Sequence, residues 1–441
     1  MSYSQQRVPT RVVESDTIRT LKKGVWLYFI LLIFEGALRK WFLPGLSTPL
    51  LVIRDPVAIW LLFTAWRADL LPSTSYIAIS VGIGLFGIFT ALALGHGNLF
   101  VALYGARILL FHFPLMFLIG RVFNRDDVIQ LGRITLWIAI PMTVLIALQF
   151  YSPQSAWVNR GVGGDMEGAG FSGALGYYRP PGTFSFTNGT TLFYGFASSF
   201  VVYFWLYPKG LNRIILIGAT AGLLAAIPLS ISRGLFFQVA LALVFAVATV
   251  FNDPKYLGQI LVSSIIILIA FTLLSYTSFF QTATKAFFTR FDVANKNEGG
   301  VEGVLIDRYL GGLVGSLKSS AQQPFFGYGI GTGTNVGSVF LAGKEGLSLG
   351  EGEWGRLIGE LGPLLGLIIV FMRLKLSASI VMASIRRLKA GDLLPWMLLS
   401  FGLLIVPQGG WAQPTSLGFS IITGGVMLAS FRSPPKPRGR S

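Results

Sequence analysis

Twelve apolar runs, each near the length that a helix needs to cross a bilayer, dominate the 441-residue chain. A crossing takes roughly 20 residues at about 1.5 Å of rise per residue. Only 12% of the residues are charged, well under the roughly 25% of a soluble domain, so lipid must be the solvent for most of the chain. The predicted fold is an all-α polytopic membrane protein with spans at 24–38, 50–66, 76–94, 100–120, 134–150, 190–207, 214–231, 235–251, 257–276, 354–372, 393–407 and 415–431.

Basic residues predict how the spans are oriented, because Lys and Arg favour cytoplasmic loops. With the N-terminus inside, 21 of the 35 Lys and Arg fall on the inside, although the outside loops are longer. The chain is then divided into a cytoplasmic tail at 1–23, a single transmembrane bundle at 24–432 and a basic cytoplasmic tail at 433–441. The expected location is the bacterial inner membrane, with both termini cytoplasmic and the active site facing the periplasm.

Composition limits the chemistry that the chain can perform. It has no cysteine and two histidines, which excludes disulfides and thiolates and leaves too few histidines for a His-rich metal site. The formal net charge of +16 is ascribed to loops that set the topology and meet anionic headgroups of the lipid bilayer. Because no basic stripe with interleaved aromatic residues occurs, nucleic acid is not an expected partner. Neither a metal nor a cofactor is expected.

Two connections are too long to be simple turns, at 151–189 and 277–353, and both are predicted to lie outside. Loops of this length in compact proteins are commonly functional. In the second loop, helical spacing predicts a helix lying at the membrane surface, with an apolar face made of Phe280, Thr284, Phe287 and Phe291. A second apolar stripe follows at Ile306, Leu310, Leu313 and Leu317.

Arginines on the predicted outside indicate an anionic ligand. Positive charge there opposes the orientation bias, and the planar guanidinium binds phosphate oxygens through two parallel hydrogen bonds. A lipid carrier joined to its cargo through a diphosphate would suit such a set. The alternative is that each arginine pairs with a carboxylate or a lipid headgroup. The set comprises Arg39, Arg54, Arg160, Arg179, Arg233, Arg290, Arg308 and Arg356.

Three short segments contain glycine or proline at positions that constrain the backbone. Arg179 precedes Pro-Pro-Gly, which either pre-positions it or merely ends the loop before a span. Arg233 lies in a tight outside turn, where ligand contact and simple solvation are both open. The sequence GYGIGTG at 327–333 lacks the strand–turn–helix context of a nucleotide site. We expect it to be a flexible loop beside a substrate cavity.

Carboxylates at the start of the tenth span are candidates for a general base. Glu353, Arg356 and Glu360 are three and four residues apart and therefore share a helix face. They form either an internal ion-pair ladder or a site in which Glu351 or Glu353 accepts a proton from a sugar hydroxyl while Arg356 binds phosphate.

Three further polar residues lie near the predicted outer ends of spans. Arg107 falls within the fourth span, where charges are costly and commonly line a cavity. Glu35 in the first span is one candidate partner, and structural pairing and substrate contact are both open. His96 lies in a tight outside turn and is expected to be a surface residue.

Four of these stretches resemble the bacterial O-antigen ligase/polymerase superfamily, which includes Wzy-type polysaccharide polymerases and WaaL-type ligases. Their order, spacing and common outside placement carry the resemblance, although they cover less than half of the chain. The stretches are RPPGTFSFTNGTTLFYGF at 179–196, SRGLFFQVALAL at 232–243, DRYLGGLVGSLKSSAQQPFFGYGIGTG at 307–333 and EGEWGRLIGELGPLLG at 351–366.

The resemblance implies a GT-C-like membrane glycosyltransferase that uses neither metal nor nucleotide. Its donor would be a glycan on undecaprenyl diphosphate, and an acceptor hydroxyl would attack the anomeric carbon with inversion. Family members hold the diphosphate with outside arginines. The candidates here are Arg179, Arg233, Arg308 and Arg356, with Arg107 as a further one.

The resemblance also favours a polymerase over a ligase. Ligases have a His-Asn pair about eleven residues before the glycine of a Glu-x-Gly motif, and this position holds Glu351 followed by Gly352. A polymerase of lipid-linked repeat units would use Glu351 or Glu353 as the base and would have a flippase and a chain-length regulator as partners. The alternatives are a ligase to another acceptor and a polytopic transporter or flippase of glycolipids.

Overall fold

A computed structural model describes residues 15–207, 210–298, 312–341 and 352–432. These residues are mostly helical, with short π and 3₁₀ turns at several helix ends. The helices are α1 (Asp16–Ala37), α2 (Arg54–Arg67), α3 (Ser75–Ala93), α4 (Leu99–Arg107), α5 (Phe113–Val122), α6 (Arg125–Tyr151), α7 (Asn188–Leu206), α8 (Arg213–Leu229), α9 (Arg233–Asn252), α10 (Leu257–Ser275), α11 (Ser278–Glu298), α12 (Gly312–Ser319), α13 (Asn335–Phe340), α14 (Gly352–Lys389), α15 (Leu393–Gln408) and α16 (Pro414–Ser430).

Each of the twelve predicted spans coincides with a helix or a continuous helix pair. Within the described ranges, eight helical stretches are long and apolar enough to cross a membrane, and three shorter ones, α8, α15 and α16, are apolar. The remaining span falls on α1, a helix of 22 residues. The prediction of a helical membrane protein is therefore confirmed, whereas the count of twelve crossings stays a prediction.

The centre of the bundle is formed by α7, which is almost wholly buried. It packs against α6, α9, α15 and α16, and α16 in turn packs closely on α5. Glycine permits the close contact between α16 and α5, because a Cβ at Gly424 would lie 2.5 Å from the Met116 Sδ. By contrast, α10 is exposed along most of its length, as expected for a helix that faces lipid.

Two helix boundaries differ from the predicted ones. Because the Ser15 side chain caps the N-terminus of α1, the helix begins at Asp16 and part of the predicted 1–23 tail is helical. The tenth span begins within α14, whose backbone breaks at Gly362 with φ 79° and ψ 170°. Pro363 follows the break and cannot donate a backbone hydrogen bond across it.

The first long loop contains a short hairpin, the only sheet among the described residues. Its strands are β1 (Phe171–Ala174) and β2 (Tyr177–Arg179), which pair antiparallel so that Phe171 lies opposite Arg179. The hairpin packs against α6 and α11. It therefore places Arg179 at the end of the bundle where α6 ends and α9 begins, which is the predicted outer end.

The helix predicted in the second long loop is present as α11. Its apolar face packs against protein, because Phe280 and Phe287 are only 3% and 5% exposed and the helix contacts α8 and β1. The helix itself is thus confirmed, with part of its apolar face against protein, and its position at the membrane surface stays a prediction. Half of the second predicted stripe, Ile306 and Leu310, lies outside the described residues.

Candidate functional site

The Pro-Pro-Gly segment after Arg179 is clamped between α1 and α6. Gly182 donates its N–H to the Gln149 Oε1 at 2.7 Å and accepts from the Lys40 Nζ at 2.7 Å. Thr183 donates its hydroxyl to the Ile33 carbonyl oxygen at 2.6 Å. These three bonds fix the backbone that leaves β2, and they favour the interpretation that the segment pre-positions Arg179.

Three arginines from separate elements converge at this end of the bundle: Arg179 at the end of β2, Arg233 at the start of α9, and Arg290 in α11. Burial, followed by the like charges of Arg290 and Arg233, lowers the pKa of Arg179. No carboxylate among the described residues counteracts that shift. The Arg179 Nε is also buried without a hydrogen-bond partner within the described ranges. The three residues, called the arginine cluster below, thus form a concentration of positive charge suited to an anion.

Close packing between the hairpin and the turn before α9 holds the arginine cluster together. A Cβ at Gly173 would lie 2.5 Å from the Ile231 Cδ1 and 3.5 Å from the Arg179 Cγ, so β1 passes directly over both side chains. The next residue after Ile231, Ser232, bonds the Thr191 hydroxyl at 2.9 Å and caps α9. Backbone strain at Ile231, whose φ is +47°, is consistent with a turn held by its surroundings.

Aromatic contacts place Arg290 beside the start of α9. The Phe291 ring centroid lies 6.2 Å from those of both Phe236 and Phe237. Phe287 contacts Phe236 at 6.1 Å. Phe287 and Phe291 flank Arg290 in sequence. Their contacts therefore hold the part of α11 that contains Arg290 against the first turn of α9, where Arg233 lies.

An apolar groove of about 590 Å³ runs between α6 and α8. Its walls are almost entirely hydrocarbon, and Leu274 and Phe279 close one end. Tyr151, at the same end, lies 4.5 Å from Phe279 and 6.3 Å from Tyr177 between ring centroids. Since Tyr177 and Arg179 lie two apart on β2 and share a face, the groove ends beside the arginine cluster.

The carboxylate of Glu353 is fully occupied by internal hydrogen bonds. It accepts from Arg356 Nη2 and Nε at 2.8 and 3.0 Å, from Arg373 Nη1 at 2.8 Å and from the Trp411 N–H at 3.1 Å. A carboxylate offers about four acceptor sites, so none is left for a sugar hydroxyl. This geometry favours the internal ion-pair interpretation for Glu353 and Arg356, whose Nη1 also binds Glu360 at 2.7 Å.

The predicted tenth span ends at residue 372, which would put Arg373 in the inside loop that follows, and that prediction is wrong. Arg373 is fully buried, donates to the Gly409 carbonyl oxygen at 2.9 Å and stacks over the Trp411 ring at 3.8 Å. The break at Gly362 explains the difference. It folds the first segment of α14 back so that a Cβ at Gly366 would meet the Ile358 Cα at 2.7 Å.

The GYGIGTG segment is a packed turn, so the expectation of a flexible loop is wrong. Tyr328 and Gly329 donate their N–H groups to the carbonyls of Gly359 and Glu360 at 2.8 and 3.0 Å. The Gly333 N–H binds the Glu360 Oε1 at 2.8 Å. The segment therefore satisfies carbonyls that the break in α14 leaves without helical partners. Gly327, Gly329 and Gly331 have positive φ, which glycine adopts without steric cost.

Glu35 is not the partner of Arg107, although the sequence offered that pairing as a candidate. Arg107 binds Asp55 at 2.7 Å, and His112 binds the same carboxylate oxygen at 2.8 Å. Glu35 instead pairs with Arg54 at 3.1 Å. Sequence reasoning missed Asp55 and His112, because nothing local indicates which of several charges in different helices will meet.

His96 is buried and not a surface residue as expected. Only 7% of it is exposed, and its Nε2 lies 3.1 Å from the Ile330 carbonyl oxygen. The ring therefore ties the turn after α3 to the GYGIGTG segment.

Two predicted site residues, Arg308 and Glu351, lie outside the described residues. Within the described ranges, no three His, Asp or Glu side chains come together in a way that could hold a metal ion. Comparison of the chain with protein-family models, curated proteins and solved structures finds no match. The resemblance to the O-antigen superfamily thus rests on the sequence motifs alone.

Proposed function

We propose that the protein is a glycosyltransferase that polymerises undecaprenyl-diphosphate-linked oligosaccharide repeat units at the periplasmic face of the inner membrane. The observation that carries the proposal is the arginine cluster at the end of the apolar groove between α6 and α8. A ligand that fits both must join an anionic group to a long hydrocarbon chain, and a polyprenyl diphosphate does so.

Charge supports a diphosphate as the anionic group. Burial and two neighbouring cations act on Arg179 with no carboxylate to offset them, so the cluster is at lower free energy with an anion bound. Guanidinium groups match phosphate oxygens through paired hydrogen bonds. The groove, with its aliphatic walls from α6 and α8, would hold the first isoprene units of the lipid.

The reaction that follows is a displacement at the anomeric carbon. The acceptor hydroxyl oxygen forms the new glycosidic bond, the bond from that carbon to the phosphate oxygen breaks, and the lipid diphosphate leaves with the electron pair. The arginine cluster would stabilise the charge that develops on the leaving group. The hydroxyl proton passes to a carboxylate, and because Glu353 has no free acceptor site, Glu351 is the candidate of the two predicted bases that remains.

A reconstituted polymerisation assay tests the proposal. Purified protein in nanodiscs, given the host's lipid-linked repeat unit, should produce a ladder of polymer and release undecaprenyl diphosphate. Arg179→Ala and Arg290→Ala should each reduce the rate by tenfold or more, since a hydrogen bond to a charged group contributes about 1.5–3 kcal/mol. The controls are Lys285→Ala, an exposed cation on the same helix as Arg290, and Arg67→Ala, an exposed arginine at the opposite, predicted inner end of the bundle.

The same assay distinguishes the polymerase from a transporter and from a protein without a specific diphosphate site. Unchanged substrate together with movement of the glycolipid across vesicle membranes would identify a transporter. The buried pairs Glu35–Arg54 and Asp55–Arg107 favour that alternative, because charges within spans often mark transport pathways. Equal loss of activity in the cluster variants and in both controls would contradict a specific diphosphate site.

A further inference from the structure

A second cavity, of about 390 Å³, lies at the same end of the bundle and combines apolar with polar lining groups; it is called the polar cavity below. It is bounded by the end of α1, the segment that precedes α7, and the turn that precedes α16. Its polar lining includes Glu35, Arg39, Ser185, Asn188, Gln413 and Thr415. It is large enough for a small ligand, and nothing in the diphosphate site accounts for it.

Glu35 supplies this cavity with an unused hydrogen-bond acceptor. Its Oε2 accepts from the Arg54 Nε at 3.1 Å. Its Oε1 accepts no hydrogen bond from the described residues and has only the ionic contact with the Arg39 Nη1 at 3.7 Å. Glu35 is only 5% exposed and lines the cavity, so this carboxylate oxygen has acceptor capacity left for a ligand there. A ligand hydroxyl in the cavity would satisfy it.

The other lining groups fit neutral hydroxyls better than they fit an anion. The Arg39 charge is opposed by Glu35 and already directed to the Ser185 hydroxyl at 3.0 Å. Asn188 and Gln413 carry amides that both donate and accept, and they contact one another at 3.4 Å. Hydroxyl groups also both donate and accept, so a ligand rich in hydroxyls satisfies this lining where a phosphate or a hydrocarbon chain would not.

An aromatic ring connects the cavity to the arginine cluster. Phe186 lines the cavity, is 49% exposed and could cover the apolar face of a sugar ring. Its centroid lies 5.8 Å from that of Phe171, the residue that pairs with Arg179 across the hairpin. The polar cavity and the proposed diphosphate site are therefore on neighbouring sides of the same hairpin.

We infer that the polar cavity beside Glu35 binds a sugar of the acceptor saccharide. The Glu35 Oε1 accepts a hydrogen bond from a sugar hydroxyl, and the amides of Asn188 and Gln413 bind neighbouring hydroxyls. The inference rests on the proposed function and extends it to α1 and to the turn before α16, neither of which belongs to the motif-bearing region at 179–366.

Saturation-transfer NMR with the free repeat-unit oligosaccharide tests this site in the full-length protein in nanodiscs. The probe is prepared by mild acid release from the host's own lipid-linked intermediate. Glu35→Gln, Asn188→Ala and Gln413→Ala should each weaken binding about tenfold, as expected for the loss of one or two hydrogen bonds. Thr415→Trp should abolish binding by filling the cavity. Gel filtration establishes that each variant is folded.

Gln408→Ala is the control for a neighbouring cavity of about 310 Å³, which is lined by Gln408, Glu353 and also Asn188. Because Asn188 borders both cavities, Gln413→Ala and Thr415→Trp are the variants specific to the cavity beside Glu35. Gln408→Ala should leave binding unchanged. Binding that is unaltered in Asn188→Ala, Gln413→Ala and Thr415→Trp overturns the inference. Loss of oligosaccharide binding in Gln408→Ala, with normal binding in Gln413→Ala and Thr415→Trp, overturns it as well.

Release of undecaprenyl diphosphate separates this inference from the proposed function. If the wild-type protein forms a ladder and releases the lipid while the cavity variants bind the oligosaccharide normally, only the inference fails. If the wild-type protein neither releases the lipid nor forms a ladder, the proposed function fails and the cavity is not an acceptor site.

Discussion

Glu353 and Arg179 lie near the same end of the bundle, yet their charges are satisfied in different ways. Glu353 receives four hydrogen bonds from protein donors. Arg179 has other arginines as its charged neighbours and a buried Nε without a partner within the described ranges. A charge that is fully paired stabilises the fold, whereas a charge surrounded by like charges is available to a ligand.

Glu353→Gln should therefore destabilise the protein. The substitution leaves the buried Arg356 and Arg373 without their shared carboxylate, and breaking a buried ion pair from one side costs about 3–5 kcal/mol. Thermal unfolding in detergent should show a clearly lower midpoint. Arg179→Ala, measured beside it, should keep or raise the midpoint because it removes a charge that its neighbours repel. A Glu353→Gln protein that is fully stable but inactive would contradict the structural role and restore Glu353 as the base.

The sequence predicted those residue-level features that depend on local geometry. Arg356 binds both Glu353 and Glu360 because residues three and four apart on a helix are neighbours. The contacts of Arg373 with Glu353 and of Arg107 with Asp55 join residues 20 and 52 positions apart. They depend on how helices pack, which no local pattern specifies.

Among the elements, the membrane helices follow directly from the sequence, because apolar composition over about 20 residues is a strong local signal. The hairpin β1–β2 was not anticipated, since its strands have only four and three residues. The GYGIGTG segment was recognised but misinterpreted. Its glycines resemble those of a mobile loop, whereas they allow a tightly packed turn to approach α4 and the break in α14.

Gly331→Ala tests that role of the segment. The residue has a φ of +94°, and an added Cβ would lie 2.1 Å from the Val101 carbonyl oxygen. Left-handed strain alone costs on the order of 1–3 kcal/mol, and the contact adds to it. Thermal unfolding should show a marked loss for Gly331→Ala and little change for Gly315→Ala, where a Cβ meets nothing within 4 Å. Equal midpoints in the two variants would contradict the packed-turn interpretation.

For the whole molecule, the distribution of basic residues predicts which end of the helix bundle faces the periplasm. The arginine cluster and both polar cavities lie at the end of the bundle that the basic residues place outside. The sequence analysis already named Arg179 and Arg233 as candidates to bind the diphosphate. The addition of Arg290, which belonged only to the wider set of outside arginines, required knowing that α11 packs against the start of α9.

Single cysteines can establish the sidedness, because the natural chain contains none. Glu167→Cys and Ser278→Cys, both exposed at the predicted outer end, should react with a membrane-impermeant maleimide in intact spheroplasts. Asp69→Cys, exposed at the opposite end, should react only after permeabilisation. The reverse pattern would place the arginine cluster in the cytoplasm and exclude a periplasmic active site.

The most direct test of the central claim is a comparison of undecaprenyl diphosphate with undecaprenol as ligands, measured by native mass spectrometry of the purified protein. The two lipids share the hydrocarbon chain and differ in the diphosphate. The wild-type protein should prefer the diphosphate by tenfold or more, in line with charge-assisted hydrogen bonds of about 1.5–3 kcal/mol. The double variant Arg179→Ala/Arg290→Ala should lose that preference while Lys285→Ala keeps it. Equal binding of the two lipids by the wild-type protein, or an undiminished preference in the double variant, would contradict a diphosphate site at the arginine cluster.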